Sequence, residues 1–197
     1  MGGSLFLICL AAVAAGVSTP RAGRPVIAVA PVGDAPPGRI ERLLPVLREA
    51  FSCEVVVAPV VPLPAAAYHP ERRQYLSTAI LDALAAAKRP EWERLLGVAD
   101  ADLYVPSLNF VFGEGDPRRG VAVFSLARLR DRDERLFEKR AATEAIHELG
   151  HTYGLSHCSN PHCVMWFSNT LSESDRKGLK FCAEHQSELA GNRRQLR

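Results

Sequence analysis

Net charge of one sign is nearly absent from this chain. Its 24 lysines and arginines offset 22 aspartates and glutamates and leave +2, too little to argue for nucleic acid or a membrane surface as partner. An apolar run of membrane-spanning length is also lacking. Residues 5–17 are continuously apolar but stop at thirteen, where a transmembrane helix needs roughly 20. No internal repeat or low-complexity segment occurs, which excludes a solenoid or an array. Cysteine is scarce at five residues and methionine scarcer at two. With 197 residues, 47% of them hydrophobic, the chain suits one globular domain with a short extension.

The short apolar run does fit the core of a signal peptide. Ala12-Val13-Ala14 and Val13-Ala14-Ala15 supply small residues for cleavage. Export, to the periplasm or outside the cell, is the expectation, with no stable membrane span in the mature chain. Met1 to Ser4 carry no lysine or arginine, so a cytoplasmic chain is the alternative. Residues 1–19 are thus a signal peptide or apolar segment, 24–190 the folded domain, and 191–197 a frayed basic tail.

Pro25 to Val32 reads as a buried strand, rich in β-branched residues and closed by Gly33. Ile40, Leu43, Leu44, Leu47 and Phe51 recur at helical spacing, with Pro45 expected to kink their helix. Cys53 to Val61 is a second strand, parallel to the first through a right-handed crossover. A helix is expected over 74–88, strands over 102–105, 109–114 and 121–126, and a further helix from about Ala141. No element is assigned between Lys88 and Asp102.

The chemistry lies in His147-Glu148-Leu149-Gly150-His151-Thr152-Tyr153-Gly154-Leu155-Ser156-His157, which reads H-E-x-x-H-x-x-G-x-x-H. Histidines four residues apart share one helix face, so both imidazoles reach one metal ion. Gly154 can take the positive φ that ends a helix sharply and turns the chain back, returning His157 as a third nitrogen ligand. Three neutral imidazoles leave zinc an open position, as in catalytic rather than structural sites. Glu148 follows the first ligand and is placed to take a proton from a water that the metal activates.

Beyond the motif come Cys158, Cys163, Met165 and Cys182-Ala183-Glu184-His185. This continuation resembles the archaemetzincin family of zinc metallopeptidases, whose pattern runs H-C-x4-C-x-M and then C-x-x-C. Residues 157–165 match its first part, and His185 stands where the family usually has a last cysteine. The softer stretches Arg73-Gln74-Tyr75, Asp102 to Pro106 and Asn109 to Glu114 join the resemblance. It implies an α+β metzincin-like fold: a twisted mixed sheet with helices, then a small irregular C-terminal part held by a structural zinc.

It also implies two zinc ions per chain. Cys158, Cys163, Cys182 and His185 are the expected ligands of the second, histidine being an acceptable zinc ligand beside three cysteines. Disulfides are the rival explanation in an exported protein, but three clustered cysteines cannot all pair among themselves. Met165 is expected beneath the catalytic ligands as a hydrophobic floor. Asn109, Phe110, Val111 and Phe112 take the place of the edge strand that lines a metzincin cleft and holds an extended peptide. The implied partner is a peptide or protein substrate, and a monomer is expected. Two other classes fit less well. A silent peptide-binding protein would not need Glu148, and Arg176, Lys177 and Lys180 are too few for a basic interaction module built on the cysteines.

Overall fold

The computed structural model describes residues 25–196, so the apolar N-terminal run lies outside the described residues. In chain order the elements are β1 (Val26–Val32), α1 (Pro37–Phe51), β2 (Glu54–Val57), β3 (Tyr68–His69), β4 (Gln74–Leu76), α2 (Ser77–Ala87) and β5 (Arg94–Ala99). There follow β6 (Leu103–Tyr104), β7 (Gly113–Asp116), β8 (Val121–Ser125), α3 (Glu134–Thr152), α4 (Leu171–Ser174) and α5 (Ala183–Gln195). One mixed sheet runs β2-β1-β5-β8-β7, parallel throughout except for β7, which pairs antiparallel to β8 at its edge. A small second sheet orders β3-β4-β6.

Alternation along β1 divides the core. Val26, Ala28 and Ala30 pack with Ile80, Leu81 and Leu84 of α2 on one face. Ile27 and Val29 pack with α1 and α3 on the other, through Leu43, Leu47, Ala145, Ile146 and Leu149. Every residue of β1 is buried, as a strand covered by helices on both faces requires. No helix of the described residues is long and apolar enough to cross a membrane.

Several elements differ from expectation. β5, in the middle of the large sheet, has no counterpart in the sequence pattern: its six residues (R-L-L-G-V-A) are interrupted by Gly97 and show no alternation, because both faces are buried. α1 continues through Pro45 to Phe51. α3 begins at Glu134 rather than near Ala141. Asp133 caps it by accepting from the Arg135 backbone N–H at 2.9 Å. The charged first half is helical because Arg140, almost fully buried, donates to Asp175 at 2.6 and 2.8 Å and to Asp131 at 3.1 Å. The presumed tail is helix as far as Gln195, and Arg193 in it donates to Glu93 at 3.0 Å.

Candidate active site and metal centres

α3 enters the protein along its length, and from Ala141 to Gly150 every residue is buried. The His147 ring donates from Nδ1 to Val164 O at 2.8 Å, and that of His151 from Nδ1 to Leu155 O at 2.8 Å. Each bond places the ring proton on Nδ1 and leaves a lone pair on Nε2. Those two Nε2 atoms stand 3.1 Å apart. Two lone pairs held face to face at that distance repel unless a cation lies between them, so the donor set fits a metal.

The turn after α3 supplies the third nitrogen. Tyr153 N–H donates to Gly150 O at 3.0 Å and Gly154 N–H to His151 O at 2.9 Å. Gly154 has φ +83°, which an L side chain adopts only with strain. The chain then returns His157, whose ring centroid lies 4.9 Å from that of His151 and 5.4 Å from that of His147. One ring nitrogen from each histidine falls within 4.8 Å of the others. Burial depresses the pKa of all three, furthest for His147, and the nearby Lys177 ammonium adds to the effect. Each shift favours the neutral ring, the state a ligand needs.

Burial raises the Glu148 carboxyl well above its usual range; the Glu144 and Glu114 charges push it further, and Lys177 opposes them. It rests against β7, where a Cβ on Gly113 would stand 2.5 Å from Glu148 Cγ and 2.6 Å from Val123 O. Gly113→Ala is therefore expected to displace the carboxylate and slow turnover on the order of 10²-fold, with metal content unchanged. Rates and metal analysis on one preparation check this, and a wild-type rate would refute it. Gly113 and Gly115 occupy one face of β7, and that alternation is the signal by which sequence could have found them.

A cleft of about 540 Å³ opens over these residues, bordered also by Leu108 to Gly115 and by Phe167, Ser168, Asn169 and Lys177. Asn109, Phe110, Val111 and Phe112 all border it, but they are not a strand; β7 begins at Gly113. Their backbone is engaged elsewhere. Arg72 donates to Leu108 O and Asn109 O at 2.8 and 2.9 Å, and Gln74 to Asn109 O at 2.9 Å. Val111 N–H donates to Leu103 O at 3.0 Å. Glu144 and Lys177 also border the cleft, and no motif marks either of them. Their charges lie 3.6 Å apart with side chains 2% and 1% exposed, and Ser174 donates to Glu144 at 2.7 Å. Nothing local in the sequence marks Lys177, beyond the end of the helix that carries Glu148, as a residue brought back onto Glu144.

The second cluster is Cys158, Cys163, Cys182 and His185, with all ligand atoms within 4.8 Å of one another. Its three cysteines are free, and Cys158 Sγ to Cys182 Sγ is 3.9 Å, about twice a disulfide bond. His185 Nδ1 lies 3.2 Å from Cys182 Sγ. Burial raises the Cys163 thiol to about 11, whereas hydrogen bonds from the His185 backbone and ring lower Cys182 to about 7. A buried thiol beside one that ionises near neutrality suits a soft cation that displaces both protons. His162 is exposed and outside the cluster. Met165 is fully buried, its sulfur pressed against Gly150 between the two helical histidines.

Residues 55–190 match the sequence family described as Peptidase family M54. The archaemetzincin of Methanopyrus kandleri is 50% identical over 120 residues, 61% of this chain and 68% of that one. The archaemetzincin of Archaeoglobus fulgidus is 42% identical over 150 residues, 76% of this chain and 90% of that one. The crystal structure of the Methanopyrus kandleri protein superposes with a TM-score of 0.80 at 39% identity, covering 89% of this chain and 98% of that one.

Proposed function

This chain belongs to peptidase family M54, the archaemetzincins, and is a zinc metallopeptidase; from that premise we propose that His147, His151 and His157 hold its catalytic zinc and that Glu148 is the general base. The observation that carries this assignment is the convergence of three imidazoles beside one buried carboxylate. When bound, zinc polarises the scissile carbonyl and acidifies water. Glu148 takes a proton from the attacking water at one carboxylate oxygen and returns it to the departing amine nitrogen, restoring its own charge. A carboxyl with raised proton affinity suits both transfers. The Nδ1–H bonds of His147 and His151 hold those rings in register throughout.

An extended peptide lies along the open side of β7 in this proposal, against Leu108 and Phe167, which are 51% and 48% exposed at the cleft. Cys158, Cys163, Cys182 and His185 hold a second, structural zinc. The chain works as a monomer in this proposal, and a single copy supplies both ligand sets, so neither site needs a second copy to complete it. The test is a peptide-library digest of zinc-loaded protein read by mass spectrometry. Cleavage that a chelator abolishes and zinc restores is expected, and an untouched library would overturn the assignment. Metal analysis should return two zinc ions per chain, and a value of one would remove the second site.

Export follows as a further proposal from the apolar run at residues 5–17. N-terminal sequencing of the native protein should start after about residue 15, where small residues permit cleavage. A cytoplasmic chain beginning at Met1 would contradict it.

A further inference from the structure

His157 differs from the other two histidines of its set. His147 and His151 are each oriented by a ring bond to a backbone carbonyl. Among the described residues no hydrogen bond orients the His157 ring, which is exposed and touches the Phe167 ring at a centroid distance of 4.8 Å. Its position therefore depends on how firmly the backbone from Tyr153 to Cys158 is held. Cys158 N–H donates to Met165 O at 2.9 Å and fixes the far end. The N–H groups of Tyr153, Gly154 and Leu155 and the carbonyl of Leu155 are tied back to Gly150 and His151 of α3, whereas the carbonyls of Tyr153 and Ser156 are held by α5.

His185, Leu189 and Asn192 fall at i, i+4 and i+7 of α5 and so share one face. His185 Nε2 donates to Ser156 O at 3.1 Å, one residue before His157. Asn192 Nδ2 donates to Tyr153 O at 2.8 Å. Leu189, between them, is buried in the main core. Glu93 then ties the near end of the arm to the last turn of α5, accepting from Tyr153 Oη at 2.6 Å and from Arg193 Nε at 3.0 Å. The helix lies along the arm as a brace, bonded to it at both ends.

We propose that α5 is a positioning element for the third catalytic ligand, acting through the Asn192 amide and the Nε2–H of His185. Histidine at position 185 then has a function that cysteine could not serve. A thiolate presents one sulfur to a metal, whereas the imidazole offers Nδ1 to the cysteine cluster and keeps Nε2–H for Ser156 O. The two metal centres are thereby coupled through a single side chain. Whatever holds the His185 ring also holds the arm that carries His157, and the coupling is reciprocal.

The proposal rests on the two-zinc reading, so its test includes a readout that does not. Zinc-loaded wild type, Asn192→Ala, Asn192→Asp and His185→Cys are compared by zinc release to a chelator and by amide hydrogen exchange over residues 154–157. Asn192→Ala is expected to release the zinc of the three-histidine set about tenfold faster, the lower end of the effect of removing a partner that orients a ligand, with the zinc of the cysteine cluster affected less, through His185 alone. Exchange in the arm should rise. Asn192→Asp preserves shape but removes the donor, so it should follow alanine; wild-type behaviour in the aspartate variant would overturn the hydrogen-bond role. His185→Cys completes a four-cysteine set and should retain that metal while loosening the arm. Wild-type release and exchange in both Asn192→Ala and His185→Cys would refute the brace. If wild type holds one zinc only, the two-centre reading fails, and exchange in Asn192→Ala still decides whether α5 holds the arm.

Discussion

The Glu148→Ala variant should bind metal like wild type and hydrolyse peptides about 10²- to 10⁴-fold more slowly, the range for losing a positioned general base. The carboxylate belongs to neither ligand set, so its removal spares the metals while taking away the proton acceptor. The pH profile sharpens the test. Glu148 must be ionised to accept a proton, and burial raises its pKa. Activity should therefore be lost as pH falls through the Glu148 pKa, on an acid limb of kcat/KM set by burial, which raises that pKa, against the charge of the bound metal, which lowers it. Residual activity in the alanine variant should lack that limb. An active Glu148→Ala enzyme, or one that has lost a metal, would contradict the assignment.

Cys163→Ser is expected to have the largest effect on stability. Cys163 is 1% exposed and belongs to the main core together with Val164, Met165 and Phe181. The segment around it consists largely of turns, with only the four residues of α4 between Cys163 and Cys182. Cross-linking by a metal substitutes there for a core the segment is too short to build. A structural zinc site contributes roughly 10–16 kcal/mol of apparent binding energy in zinc-finger peptides. The large sheet retains its own core, so the loss here should be smaller but still above about 4 kcal/mol, a size confined to a few mechanisms that include metal loss. Denaturant unfolding together with metal analysis measures both. A serine variant with wild-type stability and two zinc ions would show that this centre does not hold the fold.

How much could be read from the chain divides along a physical line. Residues 147–157 were legible because a helix brings i and i+4 together whatever surrounds it, and because Gly154 ends that helix by its own backbone freedom. β1 and α1 were legible for the same reason, since their apolar spacing is a local property. β5 was not, because burial on both faces removes the alternation that marks a strand. The wall at 109–112 borders the cleft as expected, yet its backbone is claimed by Arg72, Gln74 and Leu103. Those contacts come from 35 residues upstream for Gln74 and 37 for Arg72, and no local pattern announces them.

The sequence by itself therefore determined the chemistry of this protein: a three-histidine ligand set, a glutamate beside it and a cysteine cluster that continues from it. The histidines and the glutamate form a short-range arrangement that backbone geometry imposes at a spacing of a few residues. The cysteine cluster, with Cys163 and Cys182 19 positions apart, was legible through the resemblance to the archaemetzincins. Tertiary structure alone decided the environment of that chemistry. It closed Gly113 against Glu148, buried Glu144 and Lys177 side by side, and laid α5 along the arm of His157. Each of these joins residues tens of positions apart, and their meeting depends on how the sheet and helices pack around a shared core, which spacing along a chain does not encode.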